Sequence, residues 1–227
     1  YTTIIMRFEG QERRTVEELE SELAERDRRI AELEKEAITD SLTGLYNRRG
    51  LEKAARIVMP EPNKEGRPEK RDAEQKTKNV AVLDLDIDGF KGINDRYGHL
   101  EGDRVIREAG EFLTRSMREY DVVARMGGDE FVVIMNGATE RIINKFFDHD
   151  ADPPRPRFGF TTEIGGEPRR ISFSGGITLL QPGETIDNLT DMVGRADEAL
   201  YESKEAGRDR VTLFKPSANG NIPADKA

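Results

Sequence analysis

Apolar residues follow two rhythms along the chain. From Thr15 to Ala37, residues Val16, Leu19, Leu23, Ile30, Leu33 and Ala37 fall on alternating steps of three and four, and only Arg26 interrupts the seam. This heptad stripe predicts one long helix, suited to a parallel dimeric coiled coil or to lying amphipathically on its own domain. Thr15 and Glu18 have the spacing of a capping box at its start. Further along, the rhythm changes. "NVAVLDLD" (79–86) is a continuous apolar run ending in carboxylates, the pattern of a buried strand that delivers side chains to a site at its end. "DVVARM" and "EFVVIM" are two apolar strands separated only by Gly127, Gly128 and Asp129, which predicts a tight hairpin. "ISFSGGITLL" (171–180) predicts another strand.

Helical spacing returns between these runs. Residues 51–59 read as a helix, and Val105, Ile106, Ala109, Phe112, Leu113 and Met117 mark a second, over 102–118, that packs on the first strand. Further helices are expected near 139–147 and over 188–206, the latter stopping at Gly207 as a C-terminal cap. Two segments rich in Pro and charge or in Pro, Arg and Gly, 60–78 and 150–169, read as long surface loops. Residues 1–10 read as a strand left from a preceding domain or as a disordered end. The expected fold is one α/β (α+β) unit, a mixed, largely antiparallel sheet flanked by helices and preceded by a helical stalk. The domain division follows: a helix over 1–38, a globular domain over 39–215 and a flexible tail over 216–227.

Composition narrows the chemistry. Acidic residues outnumber basic ones 45 to 36, and the net charge of −9 argues against a broad footprint for a nucleic-acid polymer. With no Cys and only His99 and His149, thiolate and histidine-rich metal sites are excluded, leaving oxygen ligands. No stretch reaches the ~18 apolar residues that span a bilayer, so no membrane contact is expected in this segment and a cytoplasmic location is expected. The chain opens on Tyr1, consistent with a piece of a longer sensor protein.

The acidic strand end Asp84, Asp86 and Asp88 leads into Gly89 and a helix, whose free N–H groups and Lys91 suit phosphate. If that turn and the hairpin turn meet across neighbouring strands, their carboxylates can hold Mg²⁺ by oxygen.

Four blocks in order, "DSLTGLYNRR" (40–49), "DLDIDGFKGINDRYGHLEGD" (84–103), "GGDEF" (127–131) and "ADEALYESKEAGRDRV" (196–211), resemble the GGDEF family of diguanylate cyclases. The resemblance spans about 39–212 and implies a fold like the nucleotidyl cyclase or polymerase palm. It implies condensation of two GTP into cyclic di-GMP with loss of two pyrophosphates. It also implies two Mg²⁺ (or Mn²⁺) ions per site, held by the carboxylates of Asp86 and Asp129 and the carbonyl of Ile87, with Glu130 as ligand or as base for the 3′-hydroxyl.

By the same resemblance, Lys91, Lys204 and Arg208 offset the triphosphate. Lys204 and Arg208, four apart, are expected on one face of the last helix. Gly128 leaves room for the nucleotide. Asn94 and Asp103 match the guanine edge, and Phe90 and Ile106 line the base pocket or pack the core. Arg118 and Asp121 resemble an RxxD inhibitory site for the product. One domain holds one GTP, so a homodimer through the N-terminal helix is expected. Met126, Gly89 and Asp209 depart from the usual pattern without removing a ligand. The alternative is a catalytically silent domain that binds GTP or cyclic di-GMP as receptor or scaffold.

Overall fold

The computed structural model describes residues 15–59, 80–139, 141, 143, 158–181 and 184–215. The expectations for residues 1–10, the loop at 60–78, most of the helix at 139–147 and the tail at 216–227 lie outside the described residues.

Helix α1 (Val16–Ile38) opens on the expected capping box, with the Glu18 N–H donating to Thr15 Oγ1 at 3.2 Å and the Thr15 N–H to Glu18 Oε2 at 2.8 Å. None of its residues is buried, and Leu23 in mid-seam is 59% exposed. The stripe therefore does not lie on its own domain. The C-terminal end of α1 is tied down where Asn47 Nδ2 donates to the carbonyls of Ala37 and Thr39, each at 3.1 Å. Asn47 also caps α2 (Arg48–Val58) by accepting from the Gly50 N–H at 3.0 Å.

Strand β1 (Ala81–Ile87) leads through a turn into α3 (Phe90–Tyr97) and α4 (His99–Ser116). The hairpin β2 (Val122–Gly127) and β3 (Glu130–Met135) follows, then β4 (Gly159–Ile164), β5 (Glu167–Leu179), α5 (Leu189–Glu205) and the short β6 (Val211–Leu213). Among the described residues the sheet order is β2-β3-β1-β5-β4, antiparallel throughout, with β6 adding to β5 in parallel. The mixed, largely antiparallel sheet is as expected.

Side chains alternate across β1. Leu83, Leu85 and Ile87 enter the core beneath α3 and α4 with Phe90, Val105 and Leu113. Val80 and Val82 enter a second core with Leu51 and Ala55 of α2 and Met192 and Ala196 of α5. By period, Asp84 and Asp86 therefore take the α5 face. Helix α5 lies close to the sheet at Gly176, where an added Cβ would come 1.9 Å from the Ala196 carbonyl oxygen and 2.2 Å from the Leu200 nitrogen. Among the described residues no helix is long and apolar enough to cross a membrane.

The loop expected over 150–169 is corrected: it contains β4 and the start of β5. Residues 159–164 and 167–172 pair through a two-residue turn at Gly165 and Gly166, with φ of 63° and 82°. That is the geometry two-residue hairpins require, and Gly meets it without a Cβ penalty. Phe158 and Phe160 anchor the strand by packing on Phe112, with ring centroids 5.1 and 5.4 Å away. Arginine and proline around this segment masked its alternation.

Candidate active site

The register of β1 assembles the site. Asp86 stands opposite Glu130 of β3 on one side and Ser174 of β5 on the other, so the strand end and the hairpin turn become neighbours. The Ile87 N–H donates to the Asp129 carbonyl at 3.3 Å, stitching the two turns together. From the α5 face, Lys204 Nζ reaches Asp86 Oδ2 at 2.9 Å. Asp129 is half-buried, and that burial, followed by the negative charge of Asp86, holds its carboxyl above the usual range despite Lys204 and Arg125. Glu130 is exposed at the mouth of the turn.

Behind this pair sits Asp84, 8% exposed. Burial pushes its carboxyl up to about 7, and repulsion from Asp197, Glu130 and Asp86 adds to the rise. The third strand-end acid has a structural role. Asp88 accepts from Ser172 Oγ at 2.7 Å, Ser174 Oγ at 2.6 Å and the Asp209 N–H at 3.0 Å, fastening the turn to β5 and to the chain after α5.

The hairpin tip is held from below. Gly127 and Gly128 have φ of 150° and 51°, and a register shift falls between Arg125 and Gly127. Arg125 donates to the Gly128 carbonyl from Nε at 3.0 Å and from Nη2 at 2.8 Å. Its Nη1 donates to both carboxylate oxygens of Asp40, which also accepts from the Thr43 N–H and hydroxyl. Burial tends to raise the Asp40 carboxyl, but the bonds from Thr43 and Arg125 outweigh it and set it below the usual range. The Arg125–Asp40 tie went unread in the sequence, because the two residues are brought together only by the sheet.

Helix α3 starts after Gly89, in left-handed conformation at φ 70°, and carries Lys91 on an exposed position of its first turn. Asn94 and Asp103 are half-buried on α3 and α4. Those helices meet at Gly102, where a Cβ would lie 1.9 Å from Asn94 Oδ1 and 3.2 Å from Phe90 Cζ. Gly102 is thus a supporting residue that the periodicity did not single out; a glycine inside a helical run was the available signal. Phe90 and Ile106 are 8% and 3% exposed and belong to the main core.

Arg208 corrects another expectation. It lies beyond the end of α5, so it does not share a helix face with Lys204. Gly207 at φ 104° turns the chain, and the Arg208 N–H folds back onto the Ser203 carbonyl at 3.0 Å. Arg208 and Asp209 then adopt φ of 63° and 52°, a region Asp and Asn enter more readily than most residues.

Arg118 and Asp121 close a turn away from these carboxylates. Asp121 accepts from the N–H groups of Arg118 at 2.9 Å and Asn136 at 3.0 Å, while the Arg118 guanidinium bonds the Tyr120 hydroxyl at 3.1 Å and lies over its ring. A cleft of about 530 Å³ adjoins them, bounded by Ile38, Tyr46 and Met117.

A family model described as "Diguanylate cyclase, GGDEF domain" matches residues 37–210. The chain belongs to the GGDEF family. It is 35% identical over 181 residues to diguanylate cyclase DgcP of Pseudomonas aeruginosa, covering 78% of this chain and 24% of that protein. It is 31% identical over 190 residues to diguanylate cyclase VdcA of Vibrio cholerae, covering 84% of this chain and 51% of VdcA. The chain thus spans about half of VdcA and a quarter of DgcP. Among solved structures, the coiled coil and GGDEF domain of DgcB from Caulobacter crescentus, in complex with c-di-GMP, superposes with a TM-score of 0.65 at 27% identity, covering 85% of this chain and 94% of that one.

Divalent-metal dependence is general in the GGDEF diguanylate cyclases, and the donor set here suits it. Among the described residues no three acidic or histidine side chains converge tightly enough to enclose a metal alone. Two carboxylates, Asp86 and Asp129, and main-chain oxygen are what remain, and Mg²⁺ commonly takes one or two carboxylates with nucleotide phosphates and water. Asp129, raised by burial and then by the charge of Asp86, is a carboxylate that a cation would relieve.

Proposed function

We propose that this chain is the cyclase domain of a signalling enzyme, condensing two GTP into cyclic di-GMP and releasing two pyrophosphates. The observation that carries the reading is the meeting of Asp86 and Asp129 beside Lys204 at the junction of β1, the hairpin and α5. In the proposed reaction each 3′-hydroxyl attacks the α-phosphate of the opposite nucleotide. Two phosphodiester bonds form and two α–β anhydride bonds break. Asp86, Asp129 and the Ile87 carbonyl would hold Mg²⁺ or Mn²⁺, two ions per site, with Glu130 as a further ligand. The bound ions supply charge neutralisation on the triphosphate and favour ionisation of the attacking hydroxyl.

The protein's own groups divide the remaining work. Glu130, exposed and next to the metal-side carboxylate, is assigned the 3′-hydroxyl proton. Lys91, Lys204 and Arg208 offset phosphate charge, Lys204 from its place beside Asp86. Asn94 and Asp103 read the guanine edge over a floor supplied by Phe90, and Gly128 lets the nucleotide approach the hairpin backbone. Arg118 and Asp121 form the inhibitory site for the product, which requires the Arg118 guanidinium to leave Tyr120 and face the ligand.

One domain presents one such half-site, so the active species is a homodimer through α1, whose apolar seam has no cover among the described residues. We assign the stalk to 1–38, the cyclase domain to 39–215 and a tail to 216–227, in a cytoplasmic part of a larger sensor. The test is incubation with GTP and Mg²⁺ and identification of the nucleotide product, repeated with Asp129→Asn and Glu130→Gln. Cyclic di-GMP and pyrophosphate from the wild type, and at least ~100-fold less from either variant, are expected from loss of a metal ligand or base. No pyrophosphate from dimeric wild type, or equal rates in all three, overturns the assignment.

A further inference from the structure

Arg104 follows directly after Asp103, and its hydrogen bonds run along α4 and across to β4. Its Nε and Nη2 fork onto Glu101 at 3.2 and 2.7 Å, one turn earlier on α4, and Nη1 donates to Glu108, one turn later. The same guanidinium then crosses to the edge of the sheet. Nη1 donates to Thr162 Oγ1 at 3.0 Å and Nη2 to the Glu163 carbonyl, both on β4. Glu101 in turn accepts from the Gly165 N–H at the β4–β5 turn. That turn rests on α3: a Cβ on Gly165 would come within 2.6 Å of the Tyr97 ring, over which Arg169 of β5 also stacks. The hairpin therefore touches the end of α3 and the first turns of α4 at once. Between those contacts lies Gly102, where α3 and α4 are close enough that Asn94 fills the place of a side chain.

We propose that Arg104 is a positioning residue for base selectivity, clamping α4 to the β4–β5 hairpin so that Asn94 and Asp103 stay at the separation a guanine edge requires. This rests on the reading of Asn94 and Asp103 as the base contacts. Arg104 is assigned no contact with the nucleotide. All its donors are spent on Glu101, Glu108 and β4, which makes it a strut between the α3–α4 pair and the sheet edge, and a rigid fork does this better than a flexible ammonium. An aligned carboxylate accepts from both N1–H and the 2-amino group of guanine, whereas hypoxanthine offers only N1–H. Loosening the strut costs the second bond first.

The experiment compares binding of 3′-deoxy-GTP and 3′-deoxy-ITP, which lack the attacking hydroxyl, to wild type, Arg104→Gln, Thr162→Val and Asp103→Asn. A charged hydrogen bond makes the guanine-over-hypoxanthine preference of wild type on the order of tenfold or more. Arg104→Gln is expected to weaken 3′-deoxy-GTP binding by a similar factor, leave 3′-deoxy-ITP within about twofold, and so abolish the preference. Thr162→Val, which removes one strand contact and keeps the fold, shifts the ratio in the same direction by less. An unchanged ratio in both strut variants, with Asp103→Asn abolishing it, overturns the role of Arg104 while the base reading stands, even if melting temperature falls. An unchanged ratio in Asp103→Asn overturns the base reading and this inference with it.

Discussion

Arg125 and Asp40 are joined by two hydrogen bonds from one guanidinium nitrogen, at 2.9 and 3.0 Å, while the other side of the same guanidinium holds the Gly128 carbonyl. The pair is largely out of solvent, its side chains 12% and 20% exposed. It connects the segment just after α1 to the hairpin tip that carries Asp129. Asp40→Asn leaves Arg125 half-paired, and removing one member of such a pair costs about 3 kcal/mol. Chemical denaturation reads this, and a matching loss of Mg²⁺-dependent GTP turnover is expected as the tip loosens. Because the folded Asp40 carboxyl lies below its ordinary value of 3.8, its contribution is present above that pH and is lost as pH falls through the lowered folded value. The wild type should therefore lose stability faster than Asp40→Asn below about pH 4.

Asp84 gives the opposite slope. Its folded carboxyl stands at about 7 against an ordinary 3.8, so the folded protein holds a proton that the unfolded chain has released. The associated stability is fully present below pH 3.8 and is lost progressively as pH rises to about 7. At roughly 1.4 kcal/mol per pH unit, the full effect is on the order of 4 kcal/mol. Asp84→Asn, measured without divalent cation, should raise the melting temperature at pH 8 by several degrees and change it little at pH 4. Equal shifts at both pH values would contradict the burial argument.

Gly176 sets how close α5 comes to the sheet, and through it the position of Lys204. A Cβ there meets the backbone of α5 at 1.9 and 2.2 Å, which no rotamer change relieves. Gly176→Ala should destabilise by at least about 2 kcal/mol. Crowding also pushes α5 outward, so phosphate affinity should fall more than base selectivity, a split that binding of GTP and free pyrophosphate would display.

Arg26 stands where the α1 seam calls for an apolar side chain, between Leu23 and Ile30. In the proposed homodimer two such cations face each other across the axis. Arg26→Leu completes the heptads and should tighten the dimer by roughly tenfold or more, since a polar residue at a core position trades stability for register. Sedimentation equilibrium measures the shift, and unchanged association would remove the seam from the interface.

Contiguous residues determined a good deal by themselves. The seam of α1, the apolar run of β1, the Gly-Gly turn before Asp129 and the helix that begins after Gly89 are set by side-chain period and turn chemistry, properties of neighbours in the chain. The four ordered motifs carried the family. Where the local signal was mixed, it misled: β4 hid among arginines and prolines, and Arg208 was counted onto a helix that Gly207 had already ended. Only the tertiary structure decided the rest. The pairing of β1 with β3 and β5 put Asp86 beside the hairpin, and the bare backbone of Gly176 let α5 carry Lys204 to it. The burial that lifts Asp84 and the long-range grip of Arg125 on Asp40 arise the same way. Charge, burial and distance between remote residues follow from strand register and helix packing, and no local pattern encodes those one residue at a time.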